Sequence, residues 1–139
     1  MSFTPYIFFD GTCSDAVDFY AKVFGADSVM KMPYSEAPPD VGLPATDDRM
    51  MHAQINVGDT VLMCSDNPEG SPKIPQAGFA VSHVTKTLAE AQSTFAKLSE
   101  GGLVVMPFEA TFFTEGFGMC NDKFGTPWMI MVGGETPNS

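Results

Sequence analysis

Apolar residues recur at helical spacing in two stretches of the chain, and each stretch follows a short apolar run. The stretches are 12–25, TCSDAVDFYAKVFG, and 87–101, TLAEAQSTFAKLSEG. In both, a threonine is followed three residues later by an acid, the spacing of a capping box at a helix start, and a glycine closes the stretch as a stop signal. The pattern predicts two amphipathic helices of similar design. The capping pairs are Thr12 with Asp15, and Thr87 with Glu90.

The runs around these helices predict strands. One of them alternates, with His52, Gln54 and Asn56 on its polar side and four apolar residues on the other. A Gly-Asp turn after it predicts a hairpin with the next run. The predicted strands are 6–9, 27–32, 51–57 and 60–65 in the first half, and 79–84, 103–108, 118–121 and 128–132 in the second.

The two halves match as a repeat. A shift of 75 residues superposes 5–10 on 80–85 as well as the two helices, and a shift of 67 superposes the last strands. The difference falls in the proline-rich stretch 33–49, which is typical of a long loop. The chain is predicted to be α+β, with two tandem βαβββ modules in a single domain; two unrelated strand and helix units are the alternative. Module one spans about 1–65, a linker 66–76, module two 77–133 and a polar tail 134–139.

Each sheet would be covered by its helix on one face and must bury the other. We expect the two sheets to pair into a curved half-barrel around a cavity. Open sheet edges usually find a partner, so we also expect a homodimer.

Composition narrows the function classes. The 139 residues are 44% apolar and carry a formal charge of −10, which argues against binding nucleic acid or an anionic membrane. No apolar run approaches the ~20 residues that span a bilayer, and no leader pattern is visible, so we expect a cytoplasmic protein. The three cysteines suit neither a disulfide framework nor a zinc site and are expected to be small apolar fillers.

Four strings in the sequence are similar to a known family. They are FFDG at 8–11, DFYAKVFGA at 18–26, MHAQINVGDTVLMCSD at 51–66 and NDKFGTPWMI at 121–130. Together with the paired modules, they resemble the PhnB-like branch of the vicinal oxygen chelate superfamily, which includes glyoxalase I, extradiol dioxygenases and bleomycin-resistance proteins. Some members of the branch carry a methyltransferase label for ubiquinone synthesis. This sequence has no glycine-rich strand-to-helix turn suited to a nucleotide-like cofactor.

The resemblance implies a divalent metal held by His, Gln or Glu on the first and last strands of each module. Such a metal needs nitrogen or oxygen donors, and the matching positions do not supply them. We therefore expect no metal and no cofactor. The matching positions are Pro5, Leu62, Ala80 and Met129, and their neighbours are Thr4, Tyr6, Val61, Met63, Phe79, Val81, Trp128 and Ile130.

The candidate ligand site follows from strand alternation. His52 and Gln54 are expected to point into the cavity, with His52 as the best candidate for a ligand partner or general base; a partly solvated strand histidine is the alternative. His83 is expected to face the helix and be structural. An apolar cavity wall is expected from Ile7, Phe9, Cys64, Ser82 and Met131. The expected ligand-binding residues are Ile7, Phe9, His52, Gln54, Cys64 and Met129.

The sequence therefore favours a metal-free protein that binds a small, partly apolar organic molecule. Two other classes stay open. One is an enzyme, either a metal-dependent lyase or dioxygenase with other ligands or a transferase that uses His52 as base. The other is a surface-interaction protein whose cavity is filled by its own aromatic residues, Phe9, Phe113 and Trp128.

Overall fold

The computed structural model describes residues 3–36 and 49–133 and divides the chain into two compact units, Met1–Ile74 and Pro75–Ser139. Most of the predicted proline-rich loop and the polar tail lie outside the described residues. Module one contains β1 (Tyr6–Phe9), α1 (Cys13–Phe24), β2 (Ser28–Pro33), a 3₁₀ turn (Tyr34–Glu36), β3 (Met50–Val57) and β4 (Thr60–Asp66). Module two contains β5 (Val81–Thr85), α2 (Leu88–Ser99), β6 (Leu103–Glu109), β7 (Phe117–Asn121) and β8 (Pro127–Val132).

Each module forms its own four-stranded sheet. The strand orders are β1-β4-β3-β2 and β5-β8-β7-β6, with the first and last strands of each module parallel and the other pairs antiparallel. The predicted α+β fold with two βαβββ modules is confirmed. Among the described residues, no helix has the length and apolar character needed to cross a membrane. The pairing of the two sheets around a cavity stays a prediction.

The core of module one lies between α1 and the sheet. Helix α1 buries Ala16, Val17 and Tyr20 on its apolar side. The sheet meets it with the apolar side of β3, where Ala53 and Ile55 are buried. This arrangement follows from the alternation in β3, because burying its apolar residues leaves the polar ones on the opposite face.

The two helices begin differently. In α2, Thr87 Oγ1 accepts a hydrogen bond of 3.1 Å from Glu90 N, so the predicted cap is present. In α1, the Thr12 side chain makes no capping bond, and the prediction for this helix was wrong. The physical reason is that Asp66, at the end of β4, accepts from Cys13 N at 3.0 Å and from Gly11 N at 2.8 Å.

Module two is organised by the turn between β7 and β8. The buried carboxylate of Asp122 accepts from the backbone N of Phe124 and Thr126 and from Trp128 Nε1 at 2.8 Å. This explains the string DKFGTPW, in which Asp122 orients the turn and the tryptophan packs beneath α2. Position 118 requires glycine because the Phe95 ring packs closely against it, and an added Cβ would lie 2.7 Å from Cε1 of that ring.

Candidate functional site

Strand register assigns each strand residue to one of two faces. Residues aligned in neighbouring strands share a face. In module one, Ala53 aligns with Cys64 and Cys64 with Ile7, and all three are buried on the side of α1. We call the opposite side the open face of module one. Its strand residues are Tyr6, Phe8, Ser28, Met30, Met32, His52, Gln54, Asn56, Val61, Met63 and Ser65.

The polar side chains of the open face form one continuous chain of hydrogen bonds. Tyr6 Oη lies 2.9 Å from His52 Nδ1. His52 Nε2 lies 3.0 Å from Gln54 Oε1, and Gln54 Nε2 donates to Asn56 Oδ1 at 3.2 Å. The three β3 residues stand two apart, which is the spacing that brings strand side chains together on one face. We call Tyr6, His52, Gln54 and Asn56 the polar chain.

Apolar side chains flank the polar chain on both sides. On β1, the rings of Tyr6 and Phe8 lie 5.0 Å apart and are 41% and 56% exposed. On β2, Met30 and Met32 stand opposite Gln54 and His52 and are also exposed. A half-exposed surface of rings and flexible thioethers beside fixed polar groups can accommodate a flat organic molecule.

Three of the expected ligand-binding residues do not lie on this face. Ile7, Phe9 and Cys64 were expected to face away from the helix, but they are buried beneath α1. Cys64 contacts Cys13 of the helix, and the hydrogen bond between the two thiols, together with burial, raises the pKa of Cys13. Their assignment to the cavity wall was wrong, because the repeat alignment placed β1 one residue out of step, and one residue reverses the face.

The structure shows where the repeat shifts. Ile7 aligns with Cys64, as His83 aligns with Ile130 in module two. The first strands therefore superpose at a shift of 76 residues and the last strands at 66, whereas the helix starts superpose at 75. The connection between first strand and helix differs by one residue between the modules. Strand 6–9, YIFF, is apolar throughout, so no alternation could reveal this.

The open face of module two is apolar. Here the expected face was correct for Ser82 and Met131, and Met129 lies beside them, opposite the side covered by α2. Phe117 shares this face and is covered by Phe113, whose ring lies 5.5 Å away. The neighbouring Phe112 is fully exposed. Met129 is thus brought together with other apolar residues of its own module.

The histidine of module two has a structural environment. His83 aligns with the buried Ile130 on the side of α2, as expected. Burial lowers the pKa of His83, while the charge of Glu90 acts in the opposite direction. The group is therefore held toward its neutral form.

The donor set for a divalent metal does not match the superfamily's enzymes in either module. On the open faces, the first and last strands supply hydroxyls, apolar side chains and thioethers, and thioethers suit soft metals. Correcting the register of β1 and β4 leads to Tyr6 and Met63, which leaves this outcome unchanged. Within 3–36 and 49–133, no group of three or more His, Cys, Asp or Glu could hold an ion.

The fold and the sequence agree on the family. The family model of the glyoxalase/bleomycin resistance protein/dioxygenase superfamily matches residues 3–130, so the chain belongs to this superfamily. It is similar to protein YjdN of Escherichia coli K12, with 32% identity over 147 residues and 99% of both chains covered.

Solved structures agree. Protein PA1353 of Pseudomonas aeruginosa has 36% identity and a TM-score of 0.87, with 95% of this chain and 97% of that chain covered. A candidate 3-demethylubiquinone-9 3-methyltransferase, the PhnB protein of Bacillus cereus, has the same fold at 23% identity and a TM-score of 0.75, with 96% and 100% covered. The predicted resemblance to this superfamily is confirmed, and a PhnB protein shares the fold.

Proposed function

We propose that this chain binds a small, partly apolar organic molecule on the open face of module one, without a divalent metal. The observation that supports this most is the polar chain itself, in which four side chains from two strands are joined between exposed apolar residues. Covering exposed aromatic and thioether surface with a ligand stabilises the complex by ~25 cal/mol per Å² of apolar area removed from water. The polar chain then provides orientation.

The second module supplies a different surface. Met129 and Met131 project from β8 on its open face, with no charged residue beside them in the aligned positions of β5 and β7. We propose that Met129 contacts apolar parts of a ligand. Such thioethers are flexible and can adapt to apolar groups of different shape, but they do not recognise a polar group.

A second candidate function is favoured by one contact. Tyr6 Oη and His52 Nδ1 are 2.9 Å apart on a half-exposed surface, which is a geometry in which a proton can be exchanged with a bound substrate. In an enzyme of this kind, His52 would act as the general base and Tyr6 as its hydrogen-bond partner. Loss of turnover in His52→Ala with little change in substrate affinity would be its signature.

The methyltransferase description of the Bacillus cereus protein is not adopted as the proposal. That protein shares the fold at 23% identity. In this chain, the turns that lead from β1 to α1 and from β5 to α2 lack the glycine-rich pattern that cradles a nucleotide-like cofactor.

The homodimer remains a proposal, and we place it at the edge strand β6, where Leu103, Val104 and Val105 are exposed.

A thermal-shift screen tests the proposed function. A collection of small aromatic and alicyclic compounds is added to the wild-type chain and to the double variant His52→Ala/Gln54→Ala. Compounds that bind should raise the wild-type Tm and raise it less in the double variant, since the stabilisation of the folded state increases with the affinity of the ligand for it. The exposed Phe112→Ala variant of module two serves as the control. Equal shifts in all three proteins would contradict the proposal.

A further inference from the structure

We propose that Tyr6, positioned by His52, makes the open face of module one selective for ligands that carry a hydrogen-bond donor, with protonated apolar amines as the preferred class. This deepens the proposed function and rests on it, because the same face is involved.

The polar chain has a defined direction. Gln54 Oε1 faces His52 Nε2, and a carbonyl oxygen can only accept, so Nε2 carries the proton of the neutral ring. Nδ1 is then an acceptor. Tyr6 therefore donates its single hydroxyl proton to Nδ1, and its oxygen presents only lone pairs to anything else on the face. A ligand group that meets this oxygen must itself donate a hydrogen bond.

Ligand groups that can only accept hydrogen bonds are disfavoured beside Tyr6. A carboxylate, ether or carbonyl oxygen beside Tyr6 would face lone pairs, and a polar group that loses its water without a partner is penalised. The proton on His52 Nε2 is already given to Gln54. Hydroxyl, amine and N–H groups are thus favoured at this end of the polar chain.

Charge favours the cationic members of this class. Among the described strand residues of module one, the open face carries no Asp, Glu, Lys or Arg. Lys31 lies on the face of α1 and pairs with Asp18 at 2.9 Å, and Arg49 pairs with Asp10. The whole chain carries −10, so its long-range field attracts cations and repels anions.

The apolar surface near Tyr6 also suits an ammonium group with an apolar body. The rings of Tyr6 and Phe8 are exposed and adjacent, and aromatic faces attract cations at about 6 Å or less. Met30 and Met32 provide thioether surface on the other side of the polar chain for the apolar part.

Four naphthalene probes of similar size test the inference in the full chain. They are 1-naphthalenemethanol, its methyl ether, 1-naphthylmethylamine and 1-naphthoate, and dissociation constants are measured by calorimetry at low salt and about pH 8, above the usual titration range of imidazoles. In wild type, the alcohol should bind about five- to tenfold more tightly than the ether, because only it can donate to Tyr6. The amine should bind most tightly and the naphthoate least.

Two variants separate the role of Tyr6 from that of His52, because they change the relative affinities of the alcohol and the ether in different ways. Tyr6→Phe keeps the ring but removes the acceptor oxygen, so the alcohol should lose affinity until it equals the ether within about twofold. His52→Ala releases the Tyr6 proton, so the ether should gain affinity while the alcohol changes little. A merely structural role of His52 would weaken all four probes alike. Phe112→Ala, in module two, should keep the wild-type ratios.

The outcomes distinguish the inference from the proposed function. If the ether or the naphthoate binds wild type as tightly as the alcohol and amine do, the selectivity assigned to Tyr6 is overturned while binding on this face stands. If Tyr6→Phe retains the full preference for the alcohol, the assignment to Tyr6 is likewise overturned. If no probe binds, the proposed function is overturned, and the inference with it.

Discussion

The carboxylate of Asp66 and the backbone N of Cys13 are joined by a hydrogen bond of 3.0 Å that ties the end of β4 to the start of α1. The same carboxylate accepts from Gly11 N at 2.8 Å and, through its other oxygen, from Met50 N at 2.9 Å. Asp66 is 2% exposed. One buried side chain therefore positions the first strand's exit, the helix and the start of β3, which carries the polar chain.

Removing this carboxylate should destabilise module one strongly. Asp66→Ala leaves three backbone donors without their acceptor, at ~1–3 kcal/mol each where they are buried, so we expect a loss of about 3 kcal/mol or more in the free energy of unfolding. Urea unfolding followed by circular dichroism measures it. Asp59→Ala, in the exposed hairpin turn, is the matched control and should change stability by ~0.5 kcal/mol or less. A loss below about 1 kcal/mol in Asp66→Ala would contradict the role assigned to Asp66.

The two threonines at the helix starts give a second comparison. Thr87→Ala removes an N-cap bond to Glu90 N and should cost ~1 kcal/mol of stability. Thr12→Ala removes a side chain that makes no such bond, so its cost should be at most ~0.5 kcal/mol. Both threonines are exposed, which makes the pair well matched. Equal losses in denaturant unfolding would show that the helix starts are capped alike.

His83 should make stability depend on pH. Burial lowers its pKa in the folded state below the ordinary 6.5, so the unfolded chain binds more protons there, and stability falls as pH falls below about 6.5. His83→Gln cannot titrate. The unfolding free energy of wild type minus that of the variant should therefore decrease from about pH 7.5 to about pH 5, measured by urea unfolding at each pH. Parallel curves for the two proteins would contradict this.

Divalent metals should not be retained. The open faces of both modules lack the His, Gln and Glu donors on first and last strands that the superfamily's enzymes use. After incubation with Mn, Fe, Co, Ni and Zn salts and desalting, elemental analysis should find well below about 0.1 metal ion per chain, since stable sites need three or four such donors. Retention near one per chain that disappears in His52→Ala would make the polar chain a metal site instead.

Alternation decided how much of this site could be predicted. In β3, apolar and polar residues alternate, so His52 and Gln54 were assigned to the correct face. In β1, every residue is apolar, and the faces of β1 and β4 were taken from the repeat, which is displaced by one residue at this point. Tyr6 was therefore considered only as a neighbour of a metal position. Its contact with His52 joins two residues that are 46 positions apart in the sequence, and no local pattern reports such a contact.

The helices and strands themselves were predictable because their signals are local. Gly25, for example, ends α1 in the left-handed conformation at φ 64° and follows the last apolar residue of the helical pattern. Thr87 capped its helix as expected, whereas Thr12 was replaced in this role by an aspartate from a distant strand. Long-range hydrogen bonds such as this one are the part that the sequence pattern does not carry.

Methionine methyl groups report directly on ligand binding to the open face of module one. In chain labelled with ¹³C at the methionine methyls, titration with 1-naphthylmethylamine should shift the signals of Met30, Met32 and Met63, which flank the polar chain. At subsaturating probe, the shifts should be smaller in Tyr6→Phe. If those three signals stay in place at saturating probe, binding on the open face is contradicted.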